Sequence, residues 1–185
     1  MRKAALIASM VLAGTGVHAA GLEIEVSGEA QGTITIDLLE DIAPQHVEQI
    51  TALAEAGAYN GVVFHRVIDG FMAQTGDVEF GKMGDGFDIR MAGRGGSDRP
   101  NVPAEFSDVT FDRGVVGMAR SQNPDSANSQ FFIMFAPGPF LDGQYTVVGT
   151  VTGGMDVVDA IKRGDGPNGA VVGEPDHMVS VTVTD

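Results

Sequence analysis

Two short runs of β-forming residues, Val62 to Ile68 and Phe71 to Gln74, flank the pair Asp69-Gly70, and this hairpin restricts the fold more than any other stretch. Asp-Gly favours the positive backbone angles of a tight turn, so the two runs are expected to lie antiparallel. Within them, Phe64-His65-Arg66-Val67-Ile68-Asp69-Gly70-Phe71-Met72-Ala73-Gln74 sets one arginine and one glutamine among apolar and aromatic side chains. Such an arginine is either a costly unpaired buried charge or a fixed donor pointing into a pocket. Strand alternation predicts Phe64, Arg66 and Ile68 on one face, with Val63, His65 and Val67 on the other. Ser129-Gln130-Phe131-Phe132-Ile133 has the same mixed character.

Period-two alternation recurs in Leu22 to Val26 and Gly32 to Leu38, predicting two half-buried strands. Pro44 opens a stretch with Val47, Ile50, Leu53 and Ala54 at helical spacing, and Gly57 ends it. Gly76 to Asn101, rich in glycine and charge without period, reads as long surface loops. Further strands are expected at Gly114 to Met118, Phe131 to Phe135, Tyr145 to Val151 and Met178 to Thr184. A second short helix is expected from Met155 to Arg163, with Lys162 and Arg163 facing the negative end of its dipole and Gly164 closing it. Many strands, two separated helices and no strand-helix-strand rhythm predict a mainly β chain folded as a closed antiparallel barrel.

The ends and the composition bound the function. Met1-Arg2-Lys3, the apolar stretch Ala4 to Gly16 and Val17-His18-Ala19-Ala20 have the order of a secretory leader, predicting a signal peptide over 1–19 and one domain over 20–185. Losing the two cations at Arg2 and Lys3 takes the net charge from −14 to −16. A surface that acidic repels phosphates, which argues against a nucleic-acid or anionic-membrane partner. The leader implies a periplasmic or secreted product. With no cysteine, the chain has neither a thiol nucleophile nor a thiolate metal site.

Other chemistries find little support. The phosphate-cradling spacing Gly-x-x-x-x-Gly-Lys-Ser/Thr is absent, and Asp85, Asp88 and Asp98 lack the spacing of a calcium loop. His46 and His177 are isolated, so no metal ligand set is expected. Ser121, Ser126 and Ser129 lack a nucleophile-elbow context.

The runs Phe64 to Asp77, Gly114 to Ile133 and Phe140 to Gly149 resemble the cyclophilin family of peptidyl-prolyl cis-trans isomerases, with looser similarity from about Leu22 to Val183, and the details look like its bacterial periplasmic or secreted branch. The resemblance implies a closed eight-stranded antiparallel β-barrel capped by two α-helices, with no cofactor. It implies that Arg66 is the catalytic donor, that Phe71, Met72, Phe132 and Leu141 line a proline pocket, and that Gln74 and Gln130 position the substrate backbone. Ala119 and Arg120 fall in the segment whose backbone pairs with bound peptide. Phe140 stands where many eukaryotic members carry tryptophan, and Tyr145 where they carry histidine. Phenylalanine has no indole N–H, so weaker binding of cyclosporin-type ligands is expected. Arg120 stands where many members have asparagine, which implies altered substrate preference. His65 has no proton to move in an isomerisation and is expected to be structural. The expected partners are proline-containing polypeptides, acted on by a monomeric chain that speeds the folding of exported proteins. A non-catalytic chaperone or scaffold of the same fold is one alternative, and an unrelated hydrolase or structural β domain is another.

Overall fold

The structure, a computed structural model, describes residues 20–185; the expected leader over 1–19 lies outside them. Eight strands form one antiparallel sheet: β1 (Gly21–Ser27), β2 (Gly32–Leu38), β3 (Arg66–Ile68), β4 (Met72–Thr75), β5 (Val115–Met118), β6 (Phe131–Met134), β7 (Val147–Gly153) and β8 (His177–Thr184). Their spatial order is β3-β4-β6-β5-β7-β2-β1-β8. Alternation sets β1 and β2 as expected: Leu22 pairs with Ile36 and Ile24 with Ile34, all four buried, while Glu23 and Glu25 face solvent. Helix α1 (Pro44–Glu55) buries Val47, Ile50, Leu53 and Ala54 and packs against β8. Each such side chain fully removed from water contributes about 1.5–3 kcal/mol. Helix α2 (Met155–Ala160) lies against β2.

The sheet curls without closing, which corrects the expectation of a closed barrel. The segment leading into β3 does reach β8: Phe64 N–H donates to the Asp176 carbonyl and Met178 N–H to the Val62 carbonyl, both at 2.9 Å. Strand β3 itself does not. Its outer edge is taken by the loop before β8, through Gly164 N–H to Val67 O (2.8 Å) and Val171 N–H to His65 O (3.0 Å). A strand only three residues long, already covered on that edge, leaves no ladder for β8 to complete.

Two further expectations change. Val62, Phe64 and Val67 all pack into the main core, while Ile68 packs on the opposite side of the sheet. The chain therefore switches faces in the irregular stretch Phe64 to His65 before β3, and Phe64 does not share the face of Arg66 and Ile68. Helix α2 ends at Ala160, so Lys162 and Arg163 lie beyond it. The buried Asp176 carboxylate captures the Lys162 N–H at 2.7 Å, and Ile161 turns extended (φ −57°, ψ 129°). Arg163 pairs instead with Asp69, 2.9 Å away, and covers the ring of Phe135.

Strands β5 and β6 and the first half of β4 are apolar on both faces, and period two sorts them into two cores. Ala73, Val116, Met118, Phe131 and Ile133 join the main core inside the curl. Met72, Val115, Phe132 and Met134 turn the other way and meet Phe111, Leu141 and Val147 in a second, smaller cluster. The candidate site opens at this second cluster.

Candidate active site

Arg66 is placed by its hairpin. Asp69 and Gly70 make the turn, closed by Phe71 N–H to Ile68 O at 3.0 Å, and Gly70 takes φ 66°, a backbone angle that glycine adopts without steric cost. The turn sets Arg66 opposite Gln74 and Ile68 opposite Met72. Arg66 and Gln74 thus emerge side by side, with Phe132 directly across from Gln74 on β6.

The guanidinium is held at three points. Nη1 donates to Gln74 Oε1 at 3.1 Å, Nε to the Asn168 carbonyl at 3.0 Å and Nη2 to Asn168 Oδ1 at 3.0 Å. An arginine carries five N–H bonds, so one on Nη1 and one on Nη2 remain uncommitted. Partial burial pulls its pKa below the ordinary arginine value, yet an arginine at neutral pH keeps its charge. Gln74 continues the chain: Nε2 donates to Gln130 Oε1 at 3.0 Å, and Gln130 Nε2 to the Gly95 carbonyl at 2.8 Å.

Beside this polar row lies a pocket of about 390 Å³. Phe71, Met72, Phe132 and Leu141 form its apolar side, and Arg66, Gln74, Ala119, Arg120, Phe140, Gln144 and Tyr145 complete it. Met72, Phe132 and Leu141 are buried, whereas Phe140 is 63% exposed at the mouth and packs on Phe71 with ring centroids 5.4 Å apart. Tyr145 meets Phe132 edge-on at 5.9 Å. Arg120 lies flat over the Tyr145 ring at 4.3 Å and donates to the carbonyls of Ser121 (2.9 Å) and Gln144 (2.7 Å). The Ala119 N–H is already committed to the Gln130 carbonyl at 2.9 Å, so Ala119 can offer a bound peptide only its carbonyl.

Of the residues expected from sequence, then, all but Gln130 line one pocket. Gln130 lines an adjoining cavity of about 430 Å³ and reaches the pocket through Gln74. The sequence reading missed Asn168, which supplies two of the three anchors on Arg66 from 102 residues away. It sits in a Pro-Asn-Gly turn with φ 56°, the sole non-glycine residue with positive φ among the described residues. The turn is legible in the sequence, but nothing local ties it to Arg66. Asp77 was missed as well. Its carboxylate is fully buried and accepts four backbone N–H groups, from Glu79 (3.1 Å) and Phe80 (2.9 Å) at Oδ1 and from Gly93 (2.7 Å) and Gly95 (3.0 Å) at Oδ2. A Cβ at Gly95 would stand 2.6 Å from Asp77 Oδ1, so only glycine admits this approach. Asp77 thereby fixes the loop whose Gly95 carbonyl holds Gln130.

His65 is buried, and neither ring nitrogen has a hydrogen-bond partner. Burial lowers its pKa to about 4, against a smaller opposing pull from Asp77, so it is neutral at neutral pH. It sits outside the pocket. Ser121 and Ser126 bond to each other at 2.7 Å, and the buried Ser129 hydroxyl has no partner, so no serine here is joined to a base. Among the described residues, no three histidine or acidic side chains gather as a metal site would require.

The arrangement offers a fixed cationic donor beside an apolar slot and a row of amides able to donate and accept. Its lining holds no carboxylate, imidazole or serine hydroxyl. That suits a reaction in which no covalent bond changes hands.

Comparison with known proteins agrees. The family described as "Cyclophilin type peptidyl-prolyl cis-trans isomerase/CLD" matches residues 22–183. A "Probable peptidyl-prolyl cis-trans isomerase" of Brucella suis biovar 1 (strain 1330) is 60% identical over 152 residues, spanning 82% of this chain and 78% of its own. "Peptidyl-prolyl cis-trans isomerase-like 1" of Aspergillus fumigatus is 38% identical over 135 residues, spanning 70% and 75%. Among solved structures, the cyclophilin AquaCyp293 from Hirschia baltica superposes with TM-score 0.68 at 28% identity, covering 88% of this chain and 73% of that one. A Cryptosporidium parvum cyclophilin gives TM-score 0.74 at 22% identity, over 91% and 99%, which shows the shared fold.

Proposed function

The chain belongs to the cyclophilin-type peptidyl-prolyl cis-trans isomerases, and within that activity we propose that Arg66 is the donor to the twisting Xaa-Pro amide and that the substrates are exported polypeptides. Rotation about a peptide bond must overcome roughly 18–20 kcal/mol of lost resonance, and Xaa-Pro bonds exchange over tens of seconds or longer without help. In the twisted state the amide nitrogen becomes pyramidal and recovers a lone pair that accepts a hydrogen bond. A donor aimed at that lone pair favours the transition state over either planar isomer.

The observation that carries this reading is the pair of uncommitted N–H bonds on a guanidinium anchored at three other points, beside an apolar slot. Phe71, Met72, Phe132 and Leu141 would hold the pyrrolidine ring and exclude water. Gln74 and Gln130 would bond the substrate backbone, and the Ala119 carbonyl with the Arg120 backbone would pair with it as an added edge.

The test is the cis-to-trans rate of an Xaa-Pro peptide. Arg66→Ala, shown to be folded, should lose about 10²- to 10³-fold in kcat/KM, the usual cost of one transition-state donor. A variant as fast as the parent overturns the role. No acceleration by the parent, with peptide binding intact, would leave a binding module in which Arg66 only recognises.

Export rests on the leader-like residues 1–19, with cleavage after Ala19 and release to a bacterial periplasm or the exterior. The mass of the mature protein in fractionated cultures decides it. Phe140 offers a cyclosporin-type ligand no donor, so a titration should show tighter binding to Phe140→Trp.

A further inference from the structure

Three cavities run together around Arg66. The proline pocket shares Gln74, Ala119 and Arg120 with the neighbouring cavity of about 430 Å³. A third, of about 190 Å³, shares Arg66 and Gln74 with the first and Gly93 and Arg94 with the second. The charged side chains lining this continuous groove are Arg66, Arg94 and Arg120, and no carboxylate lines any part of it. His65, at its edge, is neutral at neutral pH. The chain carries 25 acidic side chains against 11 lysines and arginines, so an acid-free groove with three arginines departs sharply from its average surface.

These charges are also uncompensated. The ion pairs among the described residues use Arg90, Arg113, Lys162, Arg163 and His46, and none of the three groove arginines. Arg66 is anchored by neutral amides and a carbonyl, and Arg120 by two carbonyls and an aromatic face. Arg94 is exposed, and among the described residues its side chain makes no hydrogen bond and no ion pair. Of the acids nearest the groove, Asp77 is committed to its four backbone N–H groups and Asp125 to the Ala104 N–H at 2.9 Å, while Glu79 and Asp98 line a separate cavity that meets the groove at Gly96 and Ser97, and none of the four pairs with a groove arginine.

We propose that this groove selects proline segments with an aspartate or glutamate next to the proline, the acid meeting Arg94 and Arg120 in the cavity beside the proline pocket. This deepens the isomerase reading and rests on it. The acidic exterior repels such a segment at long range, but at 0.1 M salt that field is screened within roughly 10 Å, and a docked carboxylate feels the nearby guanidinia. The preference therefore lies in the affinity of the docked peptide and weakens as salt rises.

The experiment measures kcat/KM and Kd for a peptide family with alanine, glutamate or lysine placed in turn at each position flanking the proline. At one or more positions, glutamate should exceed lysine by about tenfold at low salt, with alanine between. The ratio should shrink at high salt, and Arg94→Glu or Arg120→Gln should narrow or invert it. Equal values for glutamate and lysine at every position overturn the proposal. So does a glutamate preference untouched by salt and by both substitutions. If even the alanine peptide is not turned over, the isomerase reading fails by itself, and the Kd values still decide the selectivity.

Discussion

The two walls of the groove are built by different means. One is apolar and comes from regular structure: Met72 and Phe132 project from paired strands and Leu141 from a short 3-10 turn (Pro139–Leu141), all set by alternation and packing. The other is polar: Arg66 and Gln74 stand on β3 and β4, but the groups that hold them come from loops, Gly93 to Ser97, pinned from beneath by Asp77, and Pro167 to Gly169, which brings Asn168 onto Arg66. An apolar wall tolerates one loss, because its members are shared among many non-directional contacts. The polar wall is a relay from Asp77 through Gly95, Gln130 and Gln74 to Arg66, and each link has one donor and one acceptor. Geometry at the guanidinium should depend more on the loop wall than on the strand wall.

The strongest way to break that contrast is Asp77→Ala. Four backbone N–H groups would lose a buried acceptor, at about 4 kcal/mol of stability in all. The Gly95 carbonyl would come loose as well, so turnover should fall together with the urea midpoint. Phe140→Ala on the other wall, at a side chain 63% exposed, should change stability by no more than about 0.5 kcal/mol. Equal midpoints for the two variants would end the comparison.

A second, slightly smaller effect is set by pH. The His65 ring backs the loop wall so closely that a Cβ at Gly93 would lie 2.8 Å from its Cδ2. Its pKa falls from 6.5 to about 4 through burial, so the unfolded chain binds a proton that the folded chain refuses over that interval. Stability contributed by neutral His65 is complete above pH 6.5 and is lost as pH drops towards 4, by about 3 kcal/mol in total. Carboxylates add their own acid sensitivity, so the informative quantity is the difference from His65→Leu. Denaturation midpoints between pH 7 and 4 should fall less steeply in that variant; parallel slopes would mean His65 is protonated in the fold without penalty.

What the sequence discloses follows the same division. Alternation in Leu22 to Val26 and Gly32 to Leu38, helical spacing from Val47 to Ala54 and the Asp69-Gly70 turn are local patterns, and the structure keeps them. The apolar wall was found because the Arg66 and Phe132 runs resemble a known family. The missed features are made by distant partners. The sheet stays open because the loop from Gly164 to Val171 occupies the β3 edge, and α2 stops early because Asp176 takes the Lys162 N–H. Asn168 is 102 residues from the arginine it holds. No periodicity encodes such contacts, since each depends on the path of the whole chain.

Asn168 gives the finest test of the loop wall. Its positive φ suits glycine equally well, so Asn168→Gly should keep both the turn and the carbonyl that accepts from Arg66 Nε. Only the Oδ1 acceptor for Nη2 is removed. One neutral acceptor to a charged donor contributes on the order of 1 kcal/mol, and here it acts on aim rather than on substrate binding. The variant should therefore lose about fivefold in kcat with KM and thermal midpoint near the parent's. Asn168→Asp, which restores an oxygen at that place, should recover most of the loss. A fall confined to KM would move Asn168 to substrate contact. An unchanged kcat would show that Gln74 and the Asn168 carbonyl suffice to aim the guanidinium, leaving the side chain with no part in positioning it.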